Sequence, residues 1–180
     1  MYLVTLKMMK VIDNFLSKPD FEKIQSQMLS NSFPWFYNEN VSEPRERTSI
    51  EKEMFQFFHP FYYYWEWCSN YKSLVMPVLE QLNVLTPLRI KANLTFKMSD
   101  NYETGYHYDY SDGCIPKFNI ALLYLTTTNG PTKFENGDVC DCVENRLVLF
   151  DNTIKHTGVM ATDSKRRVVI NFNYIDTDGL

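Results

Sequence analysis

Histidine is scarce in this chain, with three residues in 180, at positions 59, 107 and 156. Any chemistry that needs an imidazole has few places to sit. Also missing is an apolar run near the ~18 residues of a membrane-crossing helix, so no membrane partner is expected. Residues 1–10 lack the apolar stretch and small-residue site of a secretory leader, and none is expected. Basic excess is absent too. A formal charge of −4 argues against nucleic acid held by the overall field of the protein, while leaving room for a local basic groove. The cysteines (Cys68, Cys114, Cys140, Cys142) are few and irregularly spaced for a disulfide framework, and Cys140-Asp-Cys142 has no second pair with which to build a zinc site. They read as reduced thiols of a cytoplasmic protein, the last two as half-buried strand residues. What is plentiful is aromatic surface, 13 Phe, 12 Tyr and 3 Trp, in a length that suits one domain with a substantial core.

Residues 2–12 alternate loosely and predict a strand. Ser17-Lys-Pro-Asp20 then offers a hydroxyl cap with proline in the first turn, and Phe21, Ile24 and Met28 recur at helical spacing, which predicts a helix over about 18–29. Phe33–Tyr37 reads as extended, and the charged residues 38–53 as a surface loop and candidate lid. Met54–His59 looks like a strand; His59, before Pro60 in an aromatic cluster with no carboxylate nearby, reads as a core or rim histidine. Within residues 61–82, Leu74, Val75, Val78, Leu79 and Leu82 predict a second helix ending near 81–83, with Pro77 kinking it or marking a break.

After Pro87 the pattern changes. Residues 88–96, 117–126, 139–143, 147–150 and 168–175 alternate, and turn signals separate them at 99–101, 111–113, 128–131, 135–138 and 144–145. Many short strands so spaced predict a sandwich or jelly roll rather than βαβ units. The fold class is therefore α+β, with two N-terminal helices outside an antiparallel double sheet. One domain is expected, with helical support over about 1–86 and a sheet core over about 87–176.

In Gly105-Tyr-His-Tyr-Asp-Tyr110, His107 and Asp109 are two apart, so on a strand both project from one face. An imidazole and a carboxylate aimed at one point make half of a metal site. His156, just after an apolar strand and an Asp-Asn turn, would complete a two-histidine, one-carboxylate triad that leaves open positions on a non-haem Fe(II). Arg166 and Arg167 begin the final alternating segment, ten and eleven residues further on, where a guanidinium could hold a dicarboxylate through two parallel hydrogen bonds.

Taken together, His107-Tyr-Asp109, Ala121–Thr126, Gly130-Pro-Thr-Lys-Phe134, Asn145–Phe150, His156-Thr-Gly158 and Arg166–Asn171 resemble the 2-oxoglutarate and Fe(II)-dependent dioxygenase superfamily, in its prolyl-hydroxylase-like branch. Val11–Ser17 resembles that branch's opening, and the chain is similar to small phage-encoded oxygenases of this type. The resemblance implies a double-stranded β-helix (jelly roll, cupin-like) with helices outside its major sheet. It implies iron ligands His107, Asp109 and His156, and 2-oxoglutarate held by a basic residue of the last strand with help from Tyr124. Alternation favours Arg167, which puts Val169 and Asn171 on the pocket face; Arg166 would fill the cosubstrate's space with Val168, Ile170, Phe172 and Tyr174. Thr132, Asn171 and Asn93 are further pocket candidates. Gly130-Pro131 departs from the Gly-Gly common in the family and leaves the aim of Thr132 open. The implied cofactors are Fe(II), 2-oxoglutarate and O2, with ascorbate as an optional reductant. The implied reaction is hydroxylation of a C–H bond in a peptidyl or free amino-acid side chain such as proline, releasing succinate and CO2. Oxidation of a nucleic-acid base, and a non-catalytic cupin-like domain binding metal or sugar, stand as alternatives.

Overall fold

Local capping starts the first helix. In a computed structural model that describes residues 9–41, 54–110 and 117–177, the short strand β1 (Lys10–Ile12) leads to Ser17, whose hydroxyl accepts from the Asp20 backbone N–H and caps α1 (Lys18–Met28). Phe21, Ile24 and Met28 are its buried stripe. The chain continues through β2 (Phe36–Asn38), β3 (Gln56–Tyr63), β4 (Glu66–Trp67), α2 (Met76–Gln81), β5 (Val84–Phe96), β6 (Asn119–Tyr124), β7 (Thr128–Phe134), β8 (Val139–Cys142), β9 (Leu147–Asp151), β10 (His156–Gly158) and β11 (Arg166–Asp176).

Two antiparallel sheets result. The larger has the order β1-β9-β6-β11-β5-β3-β2, with β4 paired to β3, and the smaller the order β10-β7-β8. Single bridges from Glu103 to Val159 and from His107 to His156 add residues 103–107 beside the smaller sheet. Alternation divides the core. Even-numbered residues of β11 (Val168, Ile170, Phe172, Tyr174) pack with Ala121 and Leu123 of β6 against Phe21, Ile24, Met28, Val78 and Leu79 of the helices. Ile120, Leu122, Tyr124 and Val169 face the opposite way, toward Phe134, Cys140 and Cys142 of the smaller sheet. The expected jelly roll with helices on its outer face is what forms. No helix among the described residues is long and apolar enough to cross a membrane.

Several expectations need correcting. The second helix is one short element, α2, preceded by a 3-10 turn at Lys72–Leu74, and Pro77 lies in its first turn, where no N–H is missed. The aromatic stretch before it instead forms the β3–β4 hairpin, whose tip exposes Tyr64 and Trp65, both at positive φ. Thr128–Pro131, read as a turn, is the start of β7. Its pairing with β8 is irregular between Thr128 and Thr132, a defect that accommodates a proline with no N–H to give. Cys140 and Cys142 are fully rather than half buried, because the inner face of β8 meets Tyr124 and its neighbours. Both are free thiols, as is Cys68; Cys114 and most of the proposed lid (42–53) lie outside the described residues. Strands β1 to β4, all before residue 86, widen the larger sheet. His59 is the core histidine expected, with Nδ1 at 2.8 Å from the Pro34 carbonyl and Nε2 at 2.7 Å from the Ser69 hydroxyl.

One side chain ties the N-terminal segment to the barrel. Asn145, in the left-handed region at φ 57°, accepts from the Leu16 N–H (3.0 Å) and donates to the Leu16 carbonyl (2.9 Å). Asn145→Ala should strand both buried backbone groups and keep the unfavourable φ, costing about 3 kcal/mol. Asn145→Gly should relieve only the φ penalty. Urea unfolding of the two variants measures the difference.

Candidate metal centre

The backbone brings the two candidate histidines together. His107 N–H donates to the His156 carbonyl (3.0 Å) and His156 N–H to the His107 carbonyl (3.1 Å), so two distant segments share one antiparallel pair. Gly105, at φ 93°, turns its carbonyl back to 3.0 Å from Nδ1 of His107. A carbonyl only accepts, so Nδ1 carries the proton and Nε2 presents a lone pair. Asp109 follows two residues later, its side chain 3% exposed, with Oδ1 4.0 Å from Nε2 of His107 and 3.9 Å from Nε2 of His156. The three donor atoms lie within 4.8 Å of one another. A shared centre falls roughly 2.5 Å from each, a few tenths of an ångström outside the ~2.0–2.2 Å of nitrogen and carboxylate ligands to a divalent metal. This donor set fits the non-haem iron that the sequence resemblance implies.

Three residues hold the carboxylate. Arg89 of β5 places Nη2 2.9 Å from Oδ1, and Asn171 and Asn173 of β11 donate their side-chain amides to Oδ2 at 2.9 and 2.6 Å. Burial alone would push the Asp109 pKa up. The Arg89 guanidinium, the two imidazoles and the Asn171 amide outweigh it and hold the carboxyl well below the usual range. His156 shows the reverse balance. Burial against Phe150 and Phe134 lowers its pKa to about 4 despite the attraction of Asp109.

That shift sets an acid limit on the metal-free protein. The native value of about 4 lies below the ~6.5 of an unfolded chain, so the unfolded state binds more protons between them. The stabilisation is whole above about pH 6.5 and is lost as pH falls toward 4, by roughly 3 kcal/mol. The pKa of buried His59 is lowered as well and acts in the same direction. Urea unfolding in chelator across this window should show the loss, and a flat profile would contradict it.

From the triad a cavity of about 250 Å³ runs between the sheets to Arg167. Arg167 is 7% exposed, donates from Nε to the Gly130 carbonyl (2.7 Å) and from Nη2 to the Thr132 hydroxyl (3.0 Å), and has no carboxylate partner among the described residues. Tyr124 also donates to Thr132 (2.8 Å). With two donors already on its oxygen, Thr132 is left to offer its own O–H to the cavity it lines. Gly130 is needed where it stands, since a Cβ there would come within 2.5 Å of the Val159 carbonyl. Arg166 points the other way and donates to the Leu29 carbonyl on the helix side.

Of the residues singled out from sequence, His107, Asp109 and His156 converge, and Arg167 and Thr132 form the far wall. Tyr124 lies behind Thr132, its ring 5.6 Å from the Arg167 guanidinium. Asn171 turns to Asp109, and Asn93 lines the cavity with its Oδ1 unpartnered. Sequence reasoning missed Arg89, Asn173 and Thr95, the last lining the cavity with its hydroxyl unpartnered among the described residues. Asn173 was recoverable from the parity that linked Arg167 to Asn171; Arg89 and Thr95 needed the β5–β11 register, which sets them beside Asn173 and Arg167.

No family model matches the chain, and no curated protein does. Solved structures match over nearly its whole length. A prolyl hydroxylase from Trichoplax adhaerens, in complex with a hypoxia inducible factor oxygen degradation domain peptide fragment, is similar at 17% identity and TM-score 0.66, over 98% of this chain and 87% of that one. An oxidoreductase of the 2OG-Fe(II) oxygenase family from Burkholderia pseudomallei is similar at 9% identity and TM-score 0.68, over 92% and 84%. A prolyl-4-hydroxylase from Pseudomonas putida is similar at 12% identity and TM-score 0.57, over 96% and 95%. The chain thus has the double-stranded β-helix fold shared by prolyl hydroxylases and other 2OG-Fe(II) oxygenases.

Proposed function

We propose that this protein is an Fe(II)- and 2-oxoglutarate-dependent oxygenase that hydroxylates a C–H bond. The observation that carries the reading is Arg167. A guanidinium buried without a carboxylate partner among the described residues is costly unless an anion arrives, and it faces a cavity whose other end holds three metal-type donors. A non-catalytic metal- or sugar-binding jelly roll gives that charge nothing to do.

His107, Asp109 and His156 would hold the metal, and Arg167 with the Thr132 hydroxyl would bind the distal carboxylate of 2-oxoglutarate. Tyr124 would act through Thr132, fixing which way its hydroxyl donates. Iron, 2-oxoglutarate and O2 together supply oxidising chemistry that inserts hydroxyl into a C–H bond and releases succinate and CO2. Walled by residues of both sheets, the cavity would shield the bound cosubstrate from bulk water. A peptidyl or free amino-acid side chain, proline among them, is the substrate class we infer; two of the similar structures are prolyl hydroxylases and one carries a peptide. With Fe(II), 2-oxoglutarate and ascorbate, slow succinate formation is expected without any substrate, and His107→Ala should abolish it. Absence of succinate, together with no thermal stabilisation by metal plus 2-oxoglutarate, would sink the reading.

A further inference from the structure

We infer that Asn171 and Asn173 are positioning residues that restrict Asp109 to a single coordinating oxygen and so keep a third position open, for O2, beside a chelating cosubstrate. The inference rests on the oxygenase reading and extends it to residues outside the triad. Each carboxylate oxygen has two lone-pair directions. On Oδ2 two amide hydrogens occupy them, from Asn171 at 2.9 Å and Asn173 at 2.6 Å. On Oδ1, Arg89 takes one direction at 2.9 Å, and the two imidazole Nε2 atoms lie 3.9 and 4.0 Å away.

The amides could not be turned the other way, because a carboxylate only accepts and a reversed amide would set oxygen against oxygen. Asn173 shows that this demand dominates. It is fully buried, its Nδ2 also reaches the Asn171 Oδ1 at 3.0 Å, and its own Oδ1 has no partner. The interior tolerates an orphaned acceptor in order to aim two donors at Asp109.

Coordination arithmetic gives the consequence. Two histidines and one carboxylate oxygen leave three of six positions on an octahedral metal, two for a chelating 2-oxo acid and one for O2. A carboxylate bound through both oxygens would leave two, and chelation by the cosubstrate would then exclude O2.

Freeing Oδ2 should therefore close the position for O2 without weakening the metal or the cosubstrate. In Asn171→Ala/Asn173→Ala, Mn(II) affinity, read by the electron paramagnetic resonance of the free ion, should hold or tighten. The 2-oxoglutarate dissociation constant should stay within about threefold of wild type, because chelation still finds its two positions. Under anaerobic Fe(II) with 2-oxoglutarate, nitric oxide standing in for O2 should bind at least about tenfold more weakly than in wild type, read by the paramagnetic resonance of the iron–nitrosyl complex. Asn171→Ser in the Asn173 background keeps a donor and should return most of the loss, which also guards against a folding defect in the double variant. Parallel loss of metal and cosubstrate, or wild-type affinity for nitric oxide, would overturn the inference alone. If the unaltered protein binds neither Mn(II) nor 2-oxoglutarate, the oxygenase reading itself fails.

Discussion

Asp109→Ala should remove metal binding, by more than about 100-fold, and also lower the thermal midpoint of the metal-free protein. The second effect follows from what the carboxylate holds. Its loss leaves the Arg89 guanidinium, with a side chain 14% exposed, facing no opposite charge; it takes the acceptor from the Asn171 amide and leaves the Asn173 amide only the Asn171 oxygen. Breaking a buried ion pair from one side costs about 3–5 kcal/mol, which in a domain of this size is on the order of 10 °C. Arg89→Met combined with Asp109→Leu should recover much of the midpoint and none of the metal affinity. Calorimetry in chelator separates the two effects, and a metal-free Asp109→Ala protein as stable as wild type would refute the account of Arg89.

Arg167→Ala should weaken 2-oxoglutarate by about 10²–10³-fold, while Arg166→Ala leaves it unchanged. Truncating one partner of a buried charge pair costs ~2–5 kcal/mol, and each 1.4 kcal/mol is tenfold. Arg167 meets the cavity, whereas Arg166 is spent on the Leu29 carbonyl behind the sheet. Stability distinguishes this variant from Asp109→Ala. Without ligand the Arg167 charge has only a carbonyl and a hydroxyl for company, so losing it relieves desolvation while sacrificing two hydrogen bonds. The midpoint should fall by less than half the Asp109→Ala drop. Titration of 2-oxoglutarate against Mn(II)-loaded protein reads the affinity; a loss in Arg166→Ala alone would reverse the assignment.

Period and parity made much of this legible before any coordinates. The spacing of His107 and Asp109 states which face they share, and the parity of 166–174 separates a helix-facing row from a cavity-facing one. Both depend only on the local geometry of a strand. The failures have one cause, which is that pairing partners are invisible along the chain. Gly130-Pro131 reads as a turn because glycine and proline usually make one, and only the irregular β7–β8 pairing turns it into a strand that offers its carbonyl to Arg167. Arg89 reads as one more polar residue on an alternating strand until register sets it beside Asn173 and against Asp109. The aromatic residues from Phe61 to Trp67 carry no turn signal of their own, yet β4 folds back on β3 in a hairpin whose tip residues reach solvent.

The backbone pair between His107 and His156 has a consequence for the order of events in folding. Local contacts such as the α1 cap can form early, but these two residues meet only after the loop between them, with strands β6 to β9, has closed, which is an entropically late step. Until then the chain holds the local His107–Asp109 pair without its third partner, His156. On the oxygenase reading, a metal would therefore bind the finished barrel rather than guide its assembly, and once bound would hold together a contact that forms late.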